Sequence, residues 1–188
     1  VFERHPSIER ILVVLSPQDD WWPAHDWSGL RKLTVLRCGG ATRAQSVLNG
    51  LRAMAGELMA DDWVLVHDAA RPCLTSALLD RLLAGLTEDP VGGILAVPVA
   101  DTLKCAGGDG RIAETVPRAG IWGAQTPQMF RYGLLLKALE MAGPHVTDES
   151  SAVEAIGLAP RLVESDRGNL KVTFPDDLEV AAWRLGQR

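Results

Sequence analysis

The chain has 188 residues, of which 47% are hydrophobic and 23% are charged, and its formal net charge is −5. This length and composition are typical of one globular domain with a core of its own. The acidic balance argues against nucleic acid as a partner, and no apolar stretch approaches the length of a membrane span. Three scattered cysteines, Cys38, Cys73 and Cys105, favour a reducing cytoplasm over a disulfide framework or a thiolate metal site.

Apolar runs and helical patterns alternate along the chain in an order typical of an α/β protein. Residues 8–15 and 33–37 have the composition of strands, and a helix with apolar residues at helical spacing follows the second. A strand at 63–68, a helix capped by Thr75 and a strand at 92–98 continue the series. This order predicts a doubly wound, mostly parallel sheet.

The strand at 63–68 ends on a polar cluster formed by His67, Asp68 and Arg71. Ligands of open α/β sheets bind at the carboxyl ends of the strands. Asp68 and Arg71 would therefore present a carboxylate beside an anion clamp. A cluster that only solvates the end of a strand explains these residues equally well.

Two glycines, Gly39 and Gly40, lie between the second strand and its helix. Glycines at such a turn let the backbone approach a ligand closely, and the N-terminus of the following helix favours an anion. Arg43 and Ser46, in the first turns of that helix, could reach such a ligand. For a Gly-Gly pair alone, a plain tight turn is the better interpretation, because the signal is weak.

The stretch at 99–120 interrupts the alternation of strands and helices. Residues 101–105 and 111–116 flank a glycine-rich turn and predict a β-hairpin. A hairpin with so little apolar surface is marginal alone, and a second subunit is an economical cover for it. Thr102 and Arg118 would then lie near each other at its base, although Arg118 as a solvated side chain is the alternative.

A strand is predicted at 121–125, and it is expected to end on the Thr126-Pro127-Gln128 segment. A helix is predicted at 130–142. Thr147 is expected to cap a further helix whose first turn is acidic, and Thr147 is also free to contact a ligand phosphate.

Two short strands are predicted at 162–164 and 168–175, before a last helix that begins near Pro175. Lys171 lies inside the second of these strands, which is an unusual place for a lysine. A buried lysine needs an anionic partner, so we expect either a carboxylate or a bound phosphate beside it.

Five motifs, in this order and at these approximate spacings, resemble those of one enzyme family. They are Gly39-Gly-Ala-Thr-Arg43 with Ser46, His67-Asp-Ala-Ala-Arg-Pro72, Thr126-Pro-Gln128, Thr147-Asp-Glu149 and Asn169-Leu-Lys-Val-Thr173. From its first strand to its last helix the chain resembles the 2-C-methyl-D-erythritol 4-phosphate cytidylyltransferases of non-mevalonate isoprenoid biosynthesis. Each motif is a weak signal alone, whereas five in order are specific.

The resemblance implies transfer of a cytidylyl group from CTP to 2-C-methyl-D-erythritol 4-phosphate, with release of pyrophosphate. It also implies a Rossmann-like nucleotidyltransferase domain over 1–188 and a homodimer held through a protruding β-arm at 99–120. Magnesium or another divalent metal would accompany the nucleotide, held by residues that the motifs do not identify. We expect no contact with nucleic acid or a membrane.

The resemblance also implies roles for individual residues. Arg118 and Lys171 would be catalytic residues that position the methylerythritol phosphate. Substrate contacts would be made by Asp68, Arg71, Thr102, Thr126 and Thr147. Nucleotide contacts would be made by Gly39, Gly40, Arg43, Ser46 and Ala69.

The sequence departs from the family pattern at two places. Ala41 and Thr42 follow the glycine pair, where the family often has an acidic residue. The family also opens with a strand and a glycine-rich triphosphate loop, a unit of roughly 30 residues that would precede Val1. We therefore expect a chain that begins at Val1 to bind substrate phosphate weakly and not to turn over.

Other functions remain open on the sequence alone. A cytidylyltransferase for another polyol phosphate, such as ribitol 5-phosphate, would share these motifs. A non-catalytic dimeric nucleotide-binding module would bind CTP and give no product with either acceptor. A second catalytic domain after residue 188 is also compatible with the sequence.

Overall fold

The structure, a computed structural model, describes residues 1–143 and 146–187. Within these ranges, strands and helices build one mixed α/β fold. The strands are Ile11–Val14 (β1), Leu33–Leu36 (β2), Trp63–Val66 (β3), Gly92–Pro98 (β4), Leu103–Ala106 (β5), Ile112–Val116 (β6), Trp122–Arg131 (β7) and Arg161–Glu164 (β8). The α-helices are Arg43–Ala53 (α1), Ser76–Leu86 (α2), Tyr132–Met141 (α3), Glu149–Ala155 (α4) and Pro175–Gly186 (α5).

A four-stranded sheet in the order β3-β7-β4-β8 forms the centre of the fold. β4 pairs in parallel with β8, whereas β7 runs antiparallel to both β3 and β4. β1 and β2 form a separate parallel pair. The predicted α/β class is confirmed, and β7 is the strand that opposes the common direction of β3, β4 and β8.

The central strand β4 is buried on both faces, which explains its continuous apolar sequence. Ile94 and Ala96 face a core that α1, α3 and α4 complete, together with Phe130. Leu95 points the other way, with Met129, into a core covered by α2. Because successive side chains of a strand alternate between faces, this division places helices on both sides of the sheet.

α2 forms where the sequence predicts it. Thr75 is its N-cap, and the side chain of Thr75 accepts a hydrogen bond from the backbone N–H of Leu78. Leu79, Leu82 and Leu86 then recur at helical spacing, and each is 0% exposed. The helix is therefore fixed by a cap at one end and by apolar burial along its length.

β7 is longer than the sequence suggests, because it continues through Pro127 to Arg131. Its pairing with β4 changes register between Ile94 and Ala96, opposite the Pro127 segment. An irregularity of this kind tolerates a proline, which cannot donate to the ladder. The expectation that the strand ends at 125 was therefore wrong.

Two other local predictions were wrong. α4 is capped by Asp148 rather than Thr147, in a capping box with Ser151. The segment 168–175 forms no strand; its backbone is attached instead by the Val172 N–H, which donates to the Ala70 carbonyl at 2.8 Å. Lys171 therefore lies on an irregular segment.

β5 and β6 form the predicted antiparallel hairpin. In the part of the chain that the structure describes, they pair with each other and with no further strand. Most of their residues are exposed, including Ile112 at 66%. None of the described helices is long and apolar enough to cross a membrane.

Replacing a buried leucine of α2 tests the two-sided core. Leu82→Ala should lower the free energy of unfolding by about 2–5 kcal/mol, because it leaves a cavity in a packed layer. Leu178→Ala is the matched control, since Leu178 is 63% exposed, and should change stability by less than about 0.5 kcal/mol. Urea unfolding measures both variants, and equal losses would contradict the burial assigned to α2.

Candidate functional site

A polar crevice of about 110 Å³ opens beside the carboxyl end of β3. It is bordered by the first residue of α1, by the middle of β7 and by the residues that precede α4. Its lining includes six residues to which the sequence analysis assigns a role: Arg43, Asp68, Arg71, Thr126, Thr147 and Lys171. The structure thus brings together residues that are up to 128 positions apart, as the separation of Arg43 and Lys171 shows.

Asp68 is the junction of this crevice. Its Oδ1 accepts a hydrogen bond from Arg43 Nε at 2.8 Å, and its Oδ2 lies 3.0 Å from Lys171 Nζ. Burial alone would raise the pKa of Asp68, but hydrogen bonds and charges from Lys171 and Arg43 outweigh burial and lower it. The anionic partner expected for Lys171 is therefore present, although the Lys171 side chain is 47% exposed rather than buried.

Arg43 is held from a second side by Glu149. Arg43 Nη1 donates to Oε1 at 2.7 Å, and Nη2 donates to Oε2 at 2.8 Å. Burial raises the pKa of the Glu149 carboxyl, and the bonds and charge of Arg43 oppose that rise. Because both carboxyl oxygens accept N–H groups, the geometry is that of an ionised, bidentate pair.

His67 and Thr126 fix the chain where it leaves β3. His67 Nε2 lies 3.0 Å from the Arg71 carbonyl, and Nδ1 lies 3.0 Å from Thr126 Oγ1. Burial lowers the pKa of His67, so the ring is neutral at pH 7. The carbonyl only accepts, so Nε2 carries the proton and the Thr126 hydroxyl donates to Nδ1.

This network limits what Thr126 can offer to a ligand. Its oxygen already accepts the Asp68 N–H at 3.0 Å, and its one proton is directed to His67. The remaining lone pair can accept a hydrogen bond but cannot donate one to a phosphate. Thr126 is therefore suited to a ligand hydroxyl.

Arg71 has a different environment from Arg43. Its Nη1 donates to the Asn169 carbonyl at 2.7 Å, and Nη2 donates to the Ala124 carbonyl at 3.2 Å. Its Nε is buried without a hydrogen-bond partner among the described residues. Two carbonyls orient this guanidinium without cancelling its charge, so Arg71 is the cation best placed to bind an anion.

Sequence reasoning missed four polar residues that support the crevice. Glu149 and Asn169 are 0% exposed, and Gln128 Nε2 donates to Asp148 Oδ2 at 2.8 Å. Asn169 Nδ2 donates to the Thr126 carbonyl at 2.9 Å, which joins the Lys171 segment to β7. All four lie inside quoted motifs, but the sequence alone does not reveal that Gln128, Glu149 and Asn169 are buried and that Asp148 is half-buried.

The glycine pair, Ser46 and Ala69 do not line the crevice. The Gly40 N–H donates to Ser46 Oγ at 3.0 Å, and Ala69 is exposed. A Cβ on Gly39 would lie 2.8 Å from the Leu15 carbonyl oxygen, so packing against the end of β1 already requires glycine there. The nucleotide contacts of Gly39, Gly40, Ser46 and Ala69 stay predictions, as does that of Arg43, which lies in the crevice.

Thr102 and Arg118 lie at the base of the hairpin and are exposed. Neither lines the crevice formed by the described residues of one chain. Their contacts with substrate stay predictions. Thr147 does line it, and its N–H donates to Ser151 Oγ at 3.1 Å.

A metal ion would find few protein ligands here. Across residues 1–143 and 146–187, no group of three or more His, Cys, Asp or Glu side chains could hold one. The described side chains therefore do not form a complete coordination sphere. Magnesium commonly keeps several waters and takes other ligands from substrate phosphates.

Comparison with known proteins gives one consistent family. A family model described as 2-C-methyl-D-erythritol 4-phosphate cytidylyltransferase matches residues 1–187. A curated protein of that name from Dechloromonas aromatica (strain RCB) is 64% identical over 184 residues, covering 97% of this chain and 80% of that protein.

Solved structures agree with this similarity. The crystal structure of a 4-diphosphocytidyl-2C-methyl-D-erythritol synthase matches with a TM-score of 0.90 at 45% identity, covering 98% of this chain and 86% of that chain. The Francisella tularensis 2-C-methyl-D-erythritol 4-phosphate cytidylyltransferase matches with a TM-score of 0.85 at 37% identity, covering 97% of this chain and 83% of that chain. The similarity thus extends over nearly all of the chain.

Asp68→Asn should change how folding stability depends on pH. The folded-state pKa of Asp68 is lowered, so its stabilising effect is complete above the unfolded value of about 3.9. That effect is lost as the pH falls through the lower folded-state pKa. The difference in unfolding free energy between wild type and variant, measured in urea from pH ~6 to pH ~2.5, should therefore shrink towards acid pH. A difference that stays constant would contradict the pairing of Asp68 with Arg43 and Lys171.

Proposed function

The chain belongs to the 2-C-methyl-D-erythritol 4-phosphate cytidylyltransferase family, and we propose that the crevice around Asp68 binds the acceptor of its reaction. The enzyme transfers a cytidylyl group from CTP to 2-C-methyl-D-erythritol 4-phosphate, a step of isoprenoid biosynthesis. The observation that carries our proposal is the placement of Arg71 and Lys171 on one small crevice. Both can bind the acceptor phosphate, while Thr126 and Asp68 can accept bonds from the hydroxyl groups of a polyol.

The chemistry needs position and charge more than a reactive side chain. An oxygen of the acceptor phosphate forms a bond to the α-phosphorus of CTP, and the bond from that phosphorus to pyrophosphate breaks. No covalent intermediate with the protein is required, so catalysis depends on alignment and on neutralising phosphate charge. Lys171, held by Asp68 at 3.0 Å, is suited to orient the attacking phosphate.

The described residues of one chain leave the crevice without a net positive charge. The cations Arg43, Arg71 and Lys171 are matched by the carboxylates of Asp68, Asp148 and Glu149. A phosphate dianion therefore adds negative charge to a site with no net positive charge. Further cations must come from the substrates, from another chain or from parts of the protein outside the described residues.

We infer that a second copy supplies one of them, through the hairpin formed by β5 and β6. Arg118 at the base of this hairpin is exposed, and so is Ile112 at 66%. The crevice volume of about 110 Å³ is also below the ~300–1,000 Å³ of ordinary ligand pockets. A homodimer in which the hairpin of each subunit closes the crevice of the other would cover the apolar surface and add the missing charge.

A divalent metal, most simply magnesium, would enter with CTP, because phosphate oxygens and water can complete its coordination. It would supply charge neutralisation at the triphosphate. We place the enzyme in the cytoplasm, because Cys38 and the exposed Cys105 are free thiols and such thiols persist in reducing compartments.

Removing the Lys171 ammonium tests the acceptor site. In the full-length protein, Lys171→Ala should raise the KM for methylerythritol phosphate or lower kcat by about tenfold or more, since a charge-assisted phosphate contact is lost. The KM for CTP should change little. Pyrophosphate release measures both KM values, and ribitol 5-phosphate serves as the alternative acceptor. The matched control is Lys137→Ala, which changes an exposed residue of α3. Unchanged acceptor kinetics would remove the crevice from the reaction.

Mixing two impaired variants tests the contribution of a second chain. Arg118→Ala should weaken catalysis and leave folding and CTP affinity nearly unchanged. If Arg118 acts across the dimer, Arg118→Ala subunits that exchange with Lys171→Ala subunits form one intact site per mixed dimer. Activity should then return to about a quarter of the wild-type level, the statistical share of such sites in a C2 dimer. No recovery, under conditions where subunit exchange is verified, would contradict action across the dimer.

A further inference from the structure

We propose that Glu149 is a positioning residue of the acceptor site, because it holds Arg43 in the orientation that fixes Asp68 and, through Asp68, the Lys171 ammonium. The inference deepens the proposed function and rests on it. Glu149 has no contact with the crevice itself, since it is 0% exposed and is absent from the crevice lining. Its effect must therefore pass through another residue.

Four charged side chains form one continuous chain of contacts from the interior to the opening. Glu149 binds Arg43 at 2.7 and 2.8 Å, Arg43 binds Asp68 at 2.8 Å, and Asp68 binds Lys171 at 3.0 Å. Side-chain exposure is 0% at Glu149, 34% at Arg43, 14% at Asp68 and 47% at Lys171, so the two ends of this chain are its most buried and its most exposed members. The innermost residue is thus the fixed end, and the residue at the opening depends on it.

The geometry of a guanidinium explains why Arg43 needs Glu149. Glu149 accepts one N–H from each of Nη1 and Nη2, which fixes the plane of the guanidinium, and in this orientation Arg43 contacts Asp68 through Nε and Oδ1. Asp68 Oδ2 therefore remains available to Lys171. Without Glu149, Arg43 would be free to turn and donate hydrogen bonds to both oxygens of Asp68 in the preferred fork-to-fork arrangement. Arg43 would then compete with Lys171 for Asp68 Oδ2.

A purely structural role explains Glu149 less well. A carboxylate in the first turn of a helix can stabilise the helix dipole, but Asp148 already caps α4 through the Ser151 N–H at 2.9 Å. Burying an ion pair seldom stabilises a fold more than apolar residues of similar size would. The position of Glu149, directly behind Arg43, instead suits a group that orients charge at the crevice.

Glu149→Gln is the test, because glutamine keeps the shape but cannot accept at both terminal atoms. In the full-length protein, kcat/KM for methylerythritol phosphate should fall about tenfold or more, the size typical of losing a group that orients a directly acting side chain. The KM for CTP should rise less than the KM for the acceptor, because the chain of contacts ends at Lys171. Glu140→Gln is the matched control. Glu140, on α3, pairs at the surface with Arg52, which lies on α1 as Arg43 does. Removing this exposed charge should leave the kinetics unchanged.

A double variant separates positioning from general damage. If Glu149 acts through Lys171, then Glu149→Gln combined with Lys171→Ala should be no slower than Lys171→Ala alone. Additive losses, or an equal rise in the KM for CTP, would overturn the inference. If Lys171→Ala alone has no effect, the proposed acceptor site fails and this inference fails with it.

A second variant keeps the inference testable if Glu149→Gln does not fold. Arg43→Lys preserves the positive charge beside Glu149 but removes the Nε contact with Asp68. It should lower kcat/KM for methylerythritol phosphate and show the same non-additivity with Lys171→Ala. Wild-type kinetics in a folded Arg43→Lys protein would overturn the inference.

Discussion

Charge that is removed from water must be paired, and this constraint organises the crevice. Glu149 is 0% exposed. Breaking a buried ion pair of this kind costs about 3–5 kcal/mol of folding free energy. Arg43 satisfies that need with two bonds, and its third bond extends the constraint to Asp68. The position of a surface lysine is in this way determined by a carboxylate in the core.

The register of the sheet brings the second group of site residues to the same place. β3 and β7 are antiparallel, with Val66 opposite Gln128, and continuing that register places Asp68 opposite Thr126. The Thr126 hydroxyl therefore meets the Asp68 N–H and the His67 ring. A parallel strand in this position would bring its carboxyl end to the crevice instead, so the antiparallel direction of β7 has a consequence for function as well as for topology.

The sequence predicted those helices and strands that depend on interactions between residues close together in the chain. The cap at Thr75, the hairpin of β5 and β6 and the buried strand β4 follow from hydrogen-bonding side chains and apolar runs that are contiguous in the sequence. The passage of β7 through Pro127 was not predictable in the same way, because it depends on an irregularity in the pairing with β4. Glu149 was missed because an acidic residue in a first helical turn is ordinary, and only the approach of Arg43, 106 residues away, makes it unusual.

The matched charges of the crevice connect stability with assembly. Arg43, Asp68, Lys171 and Glu149 satisfy one another within the chain. Among the described residues that line the crevice, Arg71 is therefore the cation without a carboxylate partner. A single arginine binds a phosphate weakly when neighbouring carboxylates oppose it. In the proposed dimer, a second cation arrives only when the partner's hairpin closes the crevice, and the same closure covers exposed apolar surface. Strong binding of the acceptor would therefore require the assembled dimer, which links substrate affinity to subunit association through one set of contacts.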